Sequence, residues 1–242
     1  MALTSLPRIE RLQLAVVTLP EWHPEHANQR TTPVYGYVID HPDGVIVFDT
    51  GVGFGNEFID ELYEPDCVRL ETALGSAGIE PSSIVGVVNS HLHFDHCGQN
   101  PMLYGTEVPF FMQQPEVDEV ERDRFYTDAE WALPPVKQRR MLDGDLEIAE
   151  GVTIVATPGH TPGHQSVVVE STSGSVVLAG QAVWARHEFI AEEATASNVF
   201  SDEYHDAAID SIRRIKALRP EVVYFAHCST HRQSDERDRL EE

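Results

Sequence analysis

Two lysines, Lys137 and Lys216, are all that this chain of 242 residues carries. Lysine and arginine together reach 17, against 40 aspartates and glutamates. The resulting formal charge of −23 excludes partners that demand clustered positive charge, so neither nucleic acid nor an anionic membrane is expected. Cysteine is equally scarce. Cys67, Cys97 and Cys228 are odd in number and lack Cys-x-x-Cys spacing, which argues against a disulfide framework and a thiolate zinc site. No apolar run approaches a membrane-spanning length. The opening Met1-Ala2-Leu3-Thr4-Ser5-Leu6-Pro7-Arg8 has no basic segment followed by an apolar stretch, so no signal peptide is read and a cytoplasmic protein is expected. No serine nucleophile elbow is visible either. The 41% hydrophobic content is enough to bury a full core, expected as one domain over 1–242 with a core from about 10 to 228 and a polar tail over 231–242.

What the chain does have is histidine in unusual company. Ser90-His91-Leu92-His93-Phe94-Asp95-His96 packs three histidines and an aspartate into six positions. Thr157-Pro158-Gly159-His160-Thr161-Pro162-Gly163-His164 follows more than sixty residues later. Neutral imidazole and carboxylate are the usual ligands of zinc and similar divalent ions. Side chains two apart on an extended segment share a face, so His91 and His93 point together. Asp95 and His96 then turn to a neighbouring position, and one loop could serve two ions ~3.5–4 Å apart.

These residues resemble the signature of the metallo-β-lactamase fold superfamily, His-x-His-x-Asp-His followed by a distant histidine, a bridging aspartate and a last histidine. His91, His93, Asp95 and His96 match the first cluster, His160 the next ligand, and His227 in Val222-Val223-Tyr224-Phe225-Ala226-His227 the last. Residues 90–96 and 157–165 are similar to the N-acyl homoserine lactonases, which open the lactone ring of bacterial quorum-sensing signals. The resemblance implies an α/β protein built as an αββα sandwich, one or two zinc ions, and a small-molecule substrate; a homodimer is left open. It also exposes a departure. Gln181, in Leu178-Ala179-Gly180-Gln181, stands where the family places its bridging aspartate. An amide oxygen cannot supply the charge that offsets two close cations, so the second ion is expected to bind more weakly. Trp184 stands where these lactonases carry a tyrosine, and an indole N–H has no titratable hydroxyl to offer.

The pattern along the chain alternates strands and helices. Leu12 to Leu19 reads as a strand, and Val34 to Ile39 with Val45 to Phe48 as a hairpin turning at Asp43-Gly44. A helix is expected over Val68 to Ala77, capped from Pro65-Asp66. Ile84 to Val88 and Val152 to Ala156 read as buried strands that deliver the histidines. Ser166 to Glu170 and Ser175 to Ala179 form a second hairpin with its turn over residues 171–174, a faint echo of the first. Asp202 to Leu218 is an amphipathic helix with Ala208, Ile212 and Ile215 on one face, and Val222 to Ala226 is a final strand.

The remaining histidines lack ligand spacing. His23, His26, His41, His187, His205 and His231 read as exposed or loop residues, although His23 and His26 match a segment near the substrate entrance of the resembled lactonases. His164 is expected to pack behind His160, Asp49 to orient a ligand histidine, and Cys97 and Cys228 to act as small buried hydrophobes. Through the resemblance, His91, His93 and His160 form an open zinc site that makes hydroxide at neutral pH. Asp95 orients that hydroxide and returns a proton to the leaving alkoxide, while Asp95, His96, His227 and the Gln181 oxygen hold the second ion. The leading expectation is a metal-dependent hydrolase opening a lactone. The alternatives are a same-fold hydrolase of a β-lactam, thioester or phosphodiester, and a metal-binding protein whose centre has degenerated at Gln181. A redox di-iron role is disfavoured, because that family pattern has glutamate where His93 stands.

Overall fold

A computed structural model describes residues 3, 5–123, 126–172, 174–195, 198–228 and 231–233. Two compact units emerge, one from residues 7–143 and the other chiefly from residue 144 onward. In the first unit the strands and helices are β1 (Arg8–Thr18), β2 (Thr31–His41), β3 (Gly44–Phe48), α1 (Glu57–Tyr63), β4 (Asp66–Cys67) and α2 (Leu70–Ser76). They continue as β5 (Ile84–Val88), α3 (Phe94–Cys97), β6 (Phe110–Gln113), α4 (Gln114–Arg122), α5 (Ala129–Ala132) and β7 (Arg139–Leu142). The seven strands make a mixed sheet in the order β4-β1-β2-β3-β5-β6-β7, antiparallel up to β3 and parallel beyond it.

The expected first hairpin forms. Gly44 closes its turn at φ +128°, a conformation that L side chains rarely adopt, and a Cβ there would meet Val85 at 2.4 Å. Parallel β5 buries Ile84 and Val87 with Val47 and Phe110, and it ends three residues before His91. A rigid strand thus delivers the histidine cluster to a loop.

The second unit contains β8 (Leu146–Ala149), β9 (Val152–Ala156), β10 (Gln165–Ser171), β11 (Gly174–Leu178), α6 (Arg186–Ala191), α7 (His205–Ala217), β12 (Val222–Tyr224) and β13 (His231–Gln233). Its sheet runs β13-β12-β11-β10-β9-β8, with only the β11–β12 pair parallel. Ala208, Ile212 and Ile215 of α7 are buried with Val155, Val177 and Val223, so the helix presents the face its periodicity predicts.

Several boundaries differ from the sequence reading. Asp66 does not cap α2; with Cys67 it pairs with β1, and the helix starts at Leu70. The Leu70 N–H donates to Gln99 Oε1 at 2.7 Å, so a side chain distant in sequence supplies the missing acceptor. The last helix opens with a 3₁₀ turn over Asp202–Tyr204, and β12 stops at Tyr224. His231–Gln233 pairs with β12 and is not part of a fraying tail; residues 234–242 and Ser173 of the expected second turn lie outside the described residues. His41 ends β2 in a buried position and is not exposed; its Nδ1 accepts the Asp43 N–H at 3.1 Å. Among the described residues no helix is long and apolar enough to cross a membrane.

Candidate metal centre

In the first unit, the loop after β5 brings His91, His93, Asp95 and His96 together. His91 Nε2 lies 3.0 Å from His93 Nδ1, and the two rings meet edge to face with centroids 4.5 Å apart. Asp95 and His96 sit in the single turn of α3, where Asp95 Oδ2 is 3.5 Å from His96 Nε2.

Behind them Asp49 holds the cluster from the end of β3. Its Oδ1 accepts the Ser90 N–H at 2.6 Å, and its Oδ2 accepts the Ser90 hydroxyl and the His96 Nδ1–H, both at 2.8 Å. Having donated its proton to Asp49, the Ser90 oxygen accepts from His91 Nδ1–H at 2.9 Å. Both imidazoles are therefore held with their lone pair on Nε2, the form a divalent ion requires. Asp49 does this at φ +63°, a left-handed conformation that costs a non-glycine residue about 1–3 kcal/mol. The donor set fits a divalent ion.

Two supports were not legible in the sequence. Glu116, buried in the first turn of α4, accepts the Leu92 N–H at 2.9 Å and the Tyr126 hydroxyl at 2.5 Å. The Tyr126 ring in turn lies 4.9 Å from the His93 ring. Gln114-Pro115-Glu116 looks like any helix start with an acid in its first turn, and nothing local marks the glutamate.

A cavity of about 490 Å³ opens beside His93, lined by Phe58, Ile59, Tyr63, Phe94 and Tyr126 with Asn56 and Asp128 at a polar edge. The Tyr63 and Phe94 rings lie 4.5 Å apart, and burial pushes the Tyr63 hydroxyl up to about 12, so it stays protonated. In the segment after β1, burial lowers the His23 pKa against the opposing pull of Glu25 and Asp95. His26 Nδ1 donates to the Leu19 carbonyl at 2.7 Å.

In the second unit, the loop after β9 carries His160. Gly159 lets that loop approach α7 at φ +144°, because a Cβ there would sit 2.4 Å from the Ala208 backbone. His164 packs behind His160 as expected, their ring centroids 6.3 Å apart. Its Nδ1 meets the Thr157 hydroxyl, and its Nε2 accepts the Gln181 N–H at 2.9 Å. Gln181 sits in the 3₁₀ turn Gly180–Ala182 that follows β11. Its Oε1 lies 3.2 Å from His227 Nε2. Trp184 packs against His227 with centroids 4.3 Å apart and ring planes tilted by 37°. Cys97 is fully buried and burial drives its thiol pKa well up, while Cys228 is half-buried against the core of the second unit; both pack as small hydrophobes.

A family model described as the metallo-β-lactamase superfamily matches residues 30–227. The chain belongs to that superfamily. An N-acyl homoserine lactonase of Bacillus sp. is 32% identical over 211 residues, with 81% of each chain covered. A solved quorum-quenching N-acyl homoserine lactone lactonase matches at a TM-score of 0.77 with 26% identity, covering 99% of this chain and 97% of its own. A second solved N-acyl homoserine lactone hydrolase, with N-hexanoyl-L-homoserine bound at its catalytic metal centre, matches at 0.75 with 27% identity over 93% and 94%. The protein thus has the metallo-β-lactamase fold, with two mixed sheets and histidine-rich groups of the metal-binding type. It is a metallo-hydrolase related to the lactonases.

Proposed function

We propose that this metallo-β-lactamase-fold protein works as a single catalytic domain that hydrolyses N-acyl homoserine lactones. The observation that carries the reading is the cavity beside His93, whose aromatic and aliphatic wall suits an acyl chain next to a ligand histidine. The lactonase names of its relatives support it. In this reading His91, His93 and His160 hold one ion, and Asp95, His96 and His227, with the Gln181 oxygen, hold a second. Imidazole and carboxylate donors suit zinc. Bound there, a divalent ion lowers the pKa of water and polarises a carbonyl.

The chain's own groups do the rest. Asp49 and Ser90 keep His91 and His96 in the ligating tautomer. The aromatic wall seats the acyl chain and excludes water from it. Water adds to the lactone carbonyl carbon and the ring C–O bond breaks. Asp95 carries a proton to the departing ring oxygen, so the products are a hydroxyl and a carboxylate, with one acid equivalent released.

Proton release on N-acyl homoserine lactones of increasing chain length tests this directly. Each buried methylene contributes about 0.8 kcal/mol, so KM should fall about fourfold for every carbon until the cavity is filled. A chelator should abolish the activity. Failure on all lactones with turnover of a thioester, β-lactam or phosphodiester would replace the substrate and keep the fold. Tight metal binding with no hydrolysis of any of them would favour a degenerate centre.

A further inference from the structure

Glu188 is a glutamate with no exposed surface, far in character from the acidic exterior that the composition leads one to expect. Four donors converge on its carboxylate. Oε2 accepts the Trp184 N–H at 2.6 Å and an Asn198 side-chain N–H at 3.2 Å. Oε1 accepts the Thr195 N–H at 2.9 Å and the Thr195 hydroxyl at 2.7 Å. Hydrogen bonds to an ionised acceptor are about twice as strong as neutral ones, and a buried carboxylate is stable only when its oxygens are satisfied. One charge therefore ties Trp184, Thr195 and Asn198 to a single point.

Trp184 transmits this to His227. Its indole covers the His227 ring at 4.3 Å, and its carbonyl accepts the His227 backbone N–H at 3.4 Å. The neighbouring Ala226 N–H donates to the Val183 carbonyl at 3.4 Å, so the segment after β12 that carries the histidine is stitched to the segment that Glu188 fixes. These backbone bonds are long, and on their own they would leave the ring free to tilt. The indole packed against the ring, tilted 37° from it, limits that freedom, and the indole is aimed by a backbone that Glu188 holds.

We infer that Glu188 is a positioning residue for His227, acting through Trp184. The inference rests on His227 being a metal ligand, as proposed above. Its consequence is that the affinity of the ion held by His227 depends on a carboxylate that never touches that ion. Outer partners of metal ligands alter affinity by about 10–100-fold.

A double-mutant cycle on metal binding tests it, with apo-protein titrated with cobalt(II) and followed by visible absorption. The relevant step is the one that His227→Ala removes. Glu188→Gln keeps the shape, but its amide turns an N–H toward donors that need an acceptor. It should weaken that step about tenfold in the natural protein and less than about twofold in a Trp184→Ala background. Equal weakening in both backgrounds would overturn the inference, because a merely structural role does not depend on the indole. Thr195→Val removes one donor to Glu188 and spares the Trp184 bond, so it should lower Tm and leave the cobalt step within about twofold. If Glu188→Gln does not fold, Glu188→Asp, which keeps the charge and withdraws it by one methylene, takes its place in the same cycle. Absence of any cobalt step sensitive to His227→Ala would overturn the ligand reading and this inference together, whereas a sensitive step with additive losses overturns this inference alone.

Discussion

The histidines of the first unit and those of the second are held by different physics. His91 and His96 rest on a charge, the Asp49 carboxylate, reached directly or through the Ser90 hydroxyl. A second buried carboxylate, Glu116, fixes the backbone between His91 and His93. In the second unit His164 and His227 meet neutral groups: a threonine hydroxyl, a glutamine amide and an indole. A buried carboxylate of that unit, Glu188, acts one residue removed, through the Trp184 backbone. A carboxylate behind an imidazole raises its basicity as a ligand, and an amide does not. The first group is thus set for a cation before one arrives. The second offers geometry without charge.

The sharpest way to break this comparison is to remove a ligand. Either His93→Ala or exhaustive chelation should eliminate lactone hydrolysis to the limit of a proton-release assay. His227→Ala should keep measurable activity, because it empties the more weakly held position. Equal and complete loss from both variants would mean that the two ions act as one unit and that the distinction drawn here does not reach function.

A smaller effect is expected from the support. Asp49→Asn preserves shape and removes the charge behind both His91 and His96, and it should weaken cobalt binding by about 10–100-fold while the protein remains folded by circular dichroism. An unchanged affinity would show that the tautomers are set without Asp49.

The smallest effect has the opposite sign. Gln181→Asp shortens the side chain by one methylene and adds the negative charge that the second group lacks. Metal per chain by elemental analysis should rise toward two, with a gain of a few-fold in rate, on the order of 1 kcal/mol of added favourable charge interaction. Two tightly held ions in the natural protein, with no gain in the variant, would remove Gln181 as the cause of any asymmetry.

Much of this was legible in the chain. Ile84 to Val88 and Val152 to Ala156 appear as strands with the expected bounds, because short β-branched runs flanked by polar residues admit few alternatives. The Asp43-Gly44 hairpin formed for the same local reason. The packing of His164 behind His160 and the hydrogen bond between Asp49 and His96 also followed from residue chemistry. Other features were not legible. Leu70 takes its cap from Gln99, so Asp66 was free to join a strand, and no local pattern announces a cap from 29 residues away. Strand β6 and helix α4 escaped because Phe110-Phe111-Met112-Gln113 is short and runs straight into Gln114-Pro115. Glu116 and Glu188 read as ordinary surface acids in a chain that has 40 acidic residues.

By itself the sequence determined the donor chemistry: which side chains are able to meet a cation, at what spacing, and after which strands. Those properties are local, since a His-x-His repeat and a strand end are written within a few residues. Only the tertiary structure decided what stands behind each histidine. Asp49 reaches His96 across 47 positions, Glu116 reaches Leu92 across 24, and Gln181 reaches His227 across 46. Burial then gives those contacts their weight, because a carboxylate withdrawn from water must spend all its acceptor capacity on the neighbours that folding supplies.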